Sequence, residues 1–416
     1  MKSSAAVLCV LLTLFLPSLV SADPGGRTDI NPALIYGQAI ALLPDRSAQD
    51  HLFTNEWRGR ALDEQFGKQI ATYDTVFKLL RQAVRQKAPC DWGYDLTQGP
   101  ELLLPGLAKA KVFAQVARLR VRWHLENGRP DDARNDLLAA FVLGRQVSKD
   151  GILISALVQI AIESILDGSI AENWFRLSPE TLQQIMDGIA AAPARGTMAQ
   201  CVPTERLSFK DWLAHKIEGI QTASHDEAEA LQKTRDLLRS IMGGGDATEG
   251  PAAPTPEAII QAAGGTTAGL LRQLNELDAL YDEAAVLMTV PYGQFLPGIK
   301  AFNEKIAKHP NQLVRVFFPA FEKCRLKEFA AETKLGLLRA AHAYRQSGEA
   351  GLSQALDPLL NEPFQFRRFE FGGVDRGFEL VSKMRYMDDW NASLIFLEKD
   401  GPAFNLDGKN AGKAVK

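Results

Sequence analysis

Cysteine is scarce in this chain, with four residues in 416. Cys9 lies in an N-terminal apolar run, which leaves Cys90, Cys201 and Cys324. Three cysteines so far apart do not make a disulfide-built fold. Their pairing stays open: one disulfide with a spare thiol, or three buried thiols. Charge of one sign is also lacking. Lys+Arg number 47 against Asp+Glu 50, for a formal net charge of -3. No basic footprint points to nucleic acid, and no acidic excess points to a solvating tail. The six histidines never stand three to five residues apart, which excludes a helical zinc pair. Cys-x-x-Cys, Gly-x-Ser-x-Gly and the Gly-x-x-x-x-Gly-Lys phosphate loop are all missing. No cofactor and no metal site is read from the motifs. What is present is apolar: 46% hydrophobic residues exclude a disordered chain.

The longest apolar run is at the start. Lys2 precedes Ala5 to Val20, which is broken by Pro17, and Val20-Ser21-Ala22 offers a cleavage site. This is the pattern of a secretory signal peptide over residues 1–22. The run falls short of the roughly 20 apolar residues a spanning helix needs. The next most apolar stretch, around residues 141–162, is interrupted by Arg145, Lys149 and Asp150. The expected product is exported, periplasmic or extracellular, with no transmembrane segment after cleavage.

Helical periodicity dominates the rest. Asn31-Pro32 reads as an N-cap with Pro at N1, and Pro44 stops that helix. Leu62, Phe66, Ile70, Tyr73, Phe77, Leu80 and Val84 draw one stripe along a single helix of about 25 residues. Leu107 to Glu126 forms a helix, Asn127-Gly128 ends it, and Pro130-Asp131-Asp132 starts the next. Ile152 to about Phe175 is apolar on most faces and should be central. Ser178-Pro179-Glu180 caps another helix. Residues 243–265 are Gly/Pro-rich and read either as a linker between lobes or as a loop inserted in one lobe. Helices resume over about 266–289, 294–308 and 311–346, with Pro319 set to kink the last or reset its start. FQFRRFEF at 364–371, a turn at 372–377 and FELVS at 378–382 form a β-hairpin. Ser393 to Leu397 can add a strand, and residues 401–416 read as a disordered tail.

The expected fold is therefore mainly α. It is an irregular α/α helical-hairpin stack with a small C-terminal antiparallel β-hairpin. The expected segments are an N-terminal lobe at 23–242, a linker or loop at 243–265, a helical segment at 266–350 and a β element at 351–400.

The hairpin around Gly128 and Ala133 has tetratricopeptide-like spacing, with Gly128 read as a close-packing point. A 34-residue repeat does not recur, so no regular array is expected. Residues 90–105, the helix pair after them and ISALVQIAIESI (154–165) resemble a family of uncharacterised secreted bacterial proteins of planctomycete type. LRAAHAYRQSGE (338–349), ALDPLLNEPFQFRR (355–368) and GFELVS (377–382) extend that resemblance. The layout of this end is similar to the end of pseudopilin heads. The resemblance implies fold and location and assigns no activity. Pseudopilins can hold calcium at this end, but Asp388-Asp389 here brings too few oxygens for a six-to-eight-ligand site.

Three groups are candidates for chemistry. Asp91, Trp92, Tyr94 and Asp95, next to Cys90, set acids and aromatics in an interhelical loop, suited to a peptide or sugar. The same residues also read as a packed turn, with Trp92 as plug, Asp91 as cap and Gly93 in a special backbone conformation. His124 and Glu126 are close enough in sequence for a His–Glu pair. Glu163 interrupts an apolar helix and needs a partner, for which Arg118, Arg120 and Arg122 are candidates. Asp91, Trp92, Tyr94, Asp95 and Glu163 are carried forward as ligand-binding candidates, with no catalytic set. The expected function is a non-enzymatic scaffold of the cell envelope that binds a protein or peptide partner, without nucleic acid. The alternatives are a carboxylate-dependent hydrolase acting on carbohydrate, and a secretion or surface-assembly component. One outcome tests the export reading directly. N-terminal sequencing of the secreted product should begin at Asp23, and an exported chain still starting at Met1 would contradict it.

Overall fold

The computed structural model describes residues 27–44, 52–53, 57–242, 254–386, 391–406 and 410–414. The signal pattern, residues 243–253 and the Asp388-Asp389 pair lie outside these residues. The fold is mainly α with a small antiparallel sheet near the C-terminus.

Helix α1 (Pro32–Ala41) starts where Asn31 accepts the Ala33 N–H and Pro32 supplies a preset backbone angle. The stripe read as one long helix is two, α2 (Glu64–Ala71) and α3 (Asp74–Val84). The break has a physical cause. Buried Arg120 takes the Ile70 carbonyl at 3.0 Å and the Asp74 carboxylate at 2.7 Å. In an unbroken helix that carbonyl would serve the Asp74 N–H. The Ile70 carbonyl instead accepts the Tyr73 N–H at 3.1 Å together with the Arg120 bond, so the ladder tightens and stops.

α4 (Pro105–Glu126) and α5 (Pro130–Val147) form the expected hairpin. Gly128 between them has φ +66°, and nothing stands within 4 Å of where a Cβ would be. The close-packing role read for it is corrected: backbone conformation, not space, requires this glycine. α6 (Leu153–Glu172) packs against both α4 and α5. It is long and apolar enough to cross a membrane by length and composition. Its Glu163 and Glu172 are buried and ion-paired with residues outside the helix, which is the setting of a core helix in this fold. α7 (Pro179–Ala191) follows, capped by Ser178, which accepts the Thr181 N–H at 3.1 Å.

Three helices that the periodicity argument does not reach come next. They are α8 (Met198–Glu205), α9 (Trp212–Ala223) and α10 (Glu227–Met242). A π turn at Arg206–Asp211 joins α8 to α9. α11 (Pro256–Ala262), α12 (Thr267–Asn275), α13 (Leu277–Leu287), α14 (Tyr292–Ala307) and α15 (Gln312–Phe317) complete this part. Pro319 separates α15 from α16 (Phe321–Gln354).

Two apolar cores result. The first gathers α1 to α7, the later half of α16 and the sheet. The second gathers α8 to α15 and the start of α16. The linker or loop reading of residues 243–265 is corrected for its described part: α11 forms inside it, and its Ile259 joins Leu238 of α10 in the second core. α6 and α16 cross from one core to the other: Ala156 and Phe329 lie in the second, Ile162 and Leu337 in the first.

The sheet is a meander of β1 (Gln365–Phe371), β2 (Val374–Arg385) and β3 (Asn391–Leu397). The turn is only Gly372-Gly373, both at positive φ, and not residues 372–377. Two such residues suit the tight primed turn of a hairpin. Val374 to Arg376 therefore extend β2, with a bulge between Phe369 and Glu370 taking up the register. The disordered-tail reading of residues 401–416 is corrected for its described residues. Phe404 is fully buried, packs on Phe369 and Phe371, and bridges to Ala414. Its ring covers the end of β1.

The Gly128 turn generates a test. Gly128→Ala should cost about 1–2 kcal/mol in urea unfolding, the penalty of a left-handed β-carbon. Gly128→Asn should cost less, and equal losses would point to crowding instead.

Candidate functional site

Glu163 sits in a polar ladder on α6. Ser155, Gln159, Glu163 and Asp167 recur every four residues, so they stack on one helix face. All four are buried. Ser155 Oγ donates to Asp150 Oδ2 at 2.9 Å. Gln159 Oε1 accepts from the Gly196 N–H at 2.9 Å and from the Ser148 hydroxyl. Glu163 Oε1 meets Arg145 Nε at 2.6 Å, and its Oε2 accepts from Arg195. The partners expected for Glu163 are corrected. Arg118 pairs with Glu172 at 2.7 Å, Arg120 with Asp136 and Asp74, and Arg122 with Glu126. The level of α6 against α4 explains this. Arg118 lies beside Glu172, nine residues and about 13 Å of helix from Glu163.

The ladder ends at Asp167. Burial, and then the Glu163 charge one turn away, push its carboxyl up to about 7. Lys334, Arg195 and Arg145 pull it down less strongly. Lys334, on α16, also donates to Ser164 Oγ at 2.6 Å. Glu163, 1% exposed, thus joins α5, α6 and the segment before α8 as a brace.

His124 does not pair with Glu126. Its Nε2 lies 3.1 Å from Asp136 Oδ2, while Glu126 is taken by Arg122 and Arg176. Residues two apart on a helix point to different sides, which accounts for the correction.

The 90–95 loop is built differently. Asn31, which caps α1, also grips Asp91 by its backbone. Its Nδ2 donates to the Asp91 carbonyl at 2.6 Å, and the Asp91 N–H donates to its Oδ1 at 3.1 Å. Asp91 Oδ1 accepts the Gly93 N–H at 2.9 Å, and Gly93 takes φ +66°. Asp95 Oδ1 accepts from the Thr97 N–H and hydroxyl, which hold its carboxyl below the usual range. Trp92 is half-buried. Its indole N–H donates to the Gln146 carbonyl, near the end of α5, at 2.9 Å. Its ring is nearly parallel to those of Tyr36 (5.9 Å, 15°) and Tyr94 (6.4 Å, 8°). The Tyr36 hydroxyl donates to the Gln146 side chain.

Cys90, Asp91, Trp92, Gly93 and Tyr94 border a cavity of about 320 Å³ with Leu96, Lys149 and Asp150, and Asp95 is not among its lining residues. Sequence reasoning missed Lys149 and Asp150 as neighbours, because contact across some 60 residues leaves no periodic signal. Burial raises the Asp150 carboxyl, which accepts from the Ile152 N–H and from Ser155. Lys149 Nζ donates to the Ala194 carbonyl at 3.3 Å. Burial pushes the Cys90 thiol up to about 12, so it stays a thiol rather than a nucleophilic thiolate. Cys90, Cys201 and Cys324 are all free. Of the five candidates, four gather at this loop and Glu163 lies apart in the core.

No family model, curated protein or solved structure matches the chain.

The ladder generates a pH prediction. The folded state keeps a proton on Asp167 between about pH 4 and 7 that the unfolded chain has released. Its contribution to stability is complete below about pH 4 and is lost as pH rises through about 7. Relative to wild type, Asp167→Asn should therefore gain stability steadily from pH 4 to 8 and then level off. Urea unfolding across that range measures it, and a flat difference would refute the assignment.

Proposed function

We propose that this chain is an exported, non-catalytic binding protein that holds a cationic peptide segment on the Trp92–Tyr94 shelf. The observation that carries the reading is the parallel, half-exposed ring pair. It is anchored from below by the Trp92 hydrogen bond to Gln146 and by the Tyr36 ring. Aromatic faces attract ammonium and guanidinium groups. A rigid pair takes less ordering on binding than a mobile one. The charges nearby favour the same ligand. Asp91 is exposed at the rim and Asp150 lies on the wall. The C-terminal end of α5, the negative end of its dipole, is beside them. Lys149 is turned to the Ala194 carbonyl.

Export to the envelope rests on the signal pattern of residues 1–22. The helical hairpin α4–α5 supports a scaffolding role, since stacked hairpins present long surfaces to protein partners. The hydrolase alternative needs two carboxylates facing across a cleft. Asp91 and Asp95 instead accept hydrogen bonds from their own turns.

Calorimetric titration with lysine- and arginine-containing hexapeptides, against glutamate-containing ones, tests the proposal. The cationic peptides should bind saturably. Tyr94→Ala and Asp91→Asn should each weaken binding about tenfold, or about 1.4 kcal/mol. Equal binding of both peptide classes, or no effect of either substitution, would remove the shelf as the site.

A further inference from the structure

The C-terminal sheet leaves one edge open. In the order β1-β2-β3, β1 has a neighbouring strand on one side only. The outer side of β3 is met by the C-terminal segment, where the Ile395 N–H donates to the Leu406 carbonyl at 2.9 Å. α16 packs against β2 and β3.

Two observations fix which peptide groups of β1 face outward. The two-residue turn Gly372-Gly373 makes Phe371–Val374 a hydrogen-bonded pair. Independently, the Ile395 N–H points away from β2, and Ile395 stands opposite Glu379. The Glu379 peptide groups therefore turn to Arg367 on the other side. Both observations give the same alternation. Arg367, Phe369 and Phe371 bond to β2, and the bulge leaves β1 regular because the extra residue, Arg376, is on β2. Phe366, Arg368 and Glu370 turn their N–H and C=O groups outward. These groups have no hydrogen-bond partner among the described residues. Such a row is a template for one more strand.

The side chains decide which strand. Arg367, Arg368 and Glu370 are exposed, and Phe369 and Phe371 are half-buried. Arg367 holds Glu379 at 2.6 Å. Arg368 holds Asp375 at 2.8 Å and Glu398 at 2.6 Å. Glu370 stands directly opposite Asp375 and has no ion-pair partner among the described residues. Like charges placed so are unfavourable, and a cation beside Glu370 relieves them.

We propose that β1 pairs antiparallel with β1 of a second copy of this chain, about a twofold axis at Phe369. With the outward groups fixed, the axis can fall at residue 367, 368, 369 or 370. At 367, Arg367 would face its own copy; at 368, Arg368 would; at 370, Glu370 would. Each of these sets like charges against each other. The axis at 369 sets opposite charges together: Arg368 faces Glu370 of the second copy, and Glu370 faces its Arg368. On the other face Phe369 meets its own copy, and Arg367 lies beside the second Phe371, a cation beside a ring. The contact is self-complementary and closed, as a twofold dimer requires.

Sedimentation equilibrium of the whole chain tests the pairing. A reversible monomer–dimer equilibrium is expected. Glu370→Lys should weaken the dimer at least tenfold with unchanged thermal stability of the monomer, since Glu370 is exposed and unpaired within the chain. Glu370→Pro should do the same, because it removes an N–H that points outward and leaves the ladder to β2 intact. Cysteine substitution reads the register. Facing residues of a non-bonded pair stand about 4.5 Å apart at Cα, within disulfide reach. Phe369→Cys should therefore give a disulfide-linked dimer on oxidation, above the wild-type background, and Arg367→Cys should not. A chain that stays monomeric up to about 1 mM, a dimer unmoved by both Glu370 variants, or cross-linking through Arg367→Cys would overturn the proposal.

Discussion

A carboxylate sealed inside an apolar helix must keep its cations, and the structure is arranged around that requirement. Glu163 is held by Arg145 from α5 and by Arg195 from the segment that leads into α8. Removing one partner of a buried pair typically costs about 3–5 kcal/mol, far more than forming it gains. The clamp lies where α6 passes from the second core to the first, between Ala156 and Leu166. Apolar surfaces slide on one another at little cost. A buried ion pair does not, so it fixes the level of α6 between its neighbours. Arg118 on Glu172 repeats the device at the far end of the helix. The two cores are held in register by charges that neither core would tolerate alone.

Much of the helical plan was legible because its signals are local. Asn31-Pro32, Ser178-Pro179 and Gly128 mark ends by capping chemistry and backbone preference, and the helices begin and end there. The break at Thr72–Tyr73 was not legible. Nothing in that stripe announces that Arg120, some fifty residues on, will claim the Ile70 carbonyl. The paired glycines 372 and 373 misled in the other direction. The run of turn-forming residues after them looked like one long turn, but the strand partner drew Val374 and Asp375 into pairing and left Arg376 at the bulge. Phe404 was passed over because one aromatic in a polar stretch has no period to reveal it.

The candidate loop shows the same division. Cys90 to Asp95 stood out by composition, and its turn chemistry follows from residue types. That Trp92 would stack with two tyrosines, one of them on α1, required the fold. Glu163 was recognisable as an anomaly, yet its partners were not, since the level of one helix against another is absent from the periodicity of either.

Gly59 donates its N–H to Asp400, and a β-carbon at Gly59 would stand 2.7 Å from the Gly401 carbonyl oxygen. Arg176 adds a bond to Asp400 at 2.9 Å. The first core is thus closed by residues from near both ends of the sequence. Its N-terminal helices cannot finish packing until the last strand has been synthesised. Loop closure over such distances is slow, and the growing chain stays open while it waits.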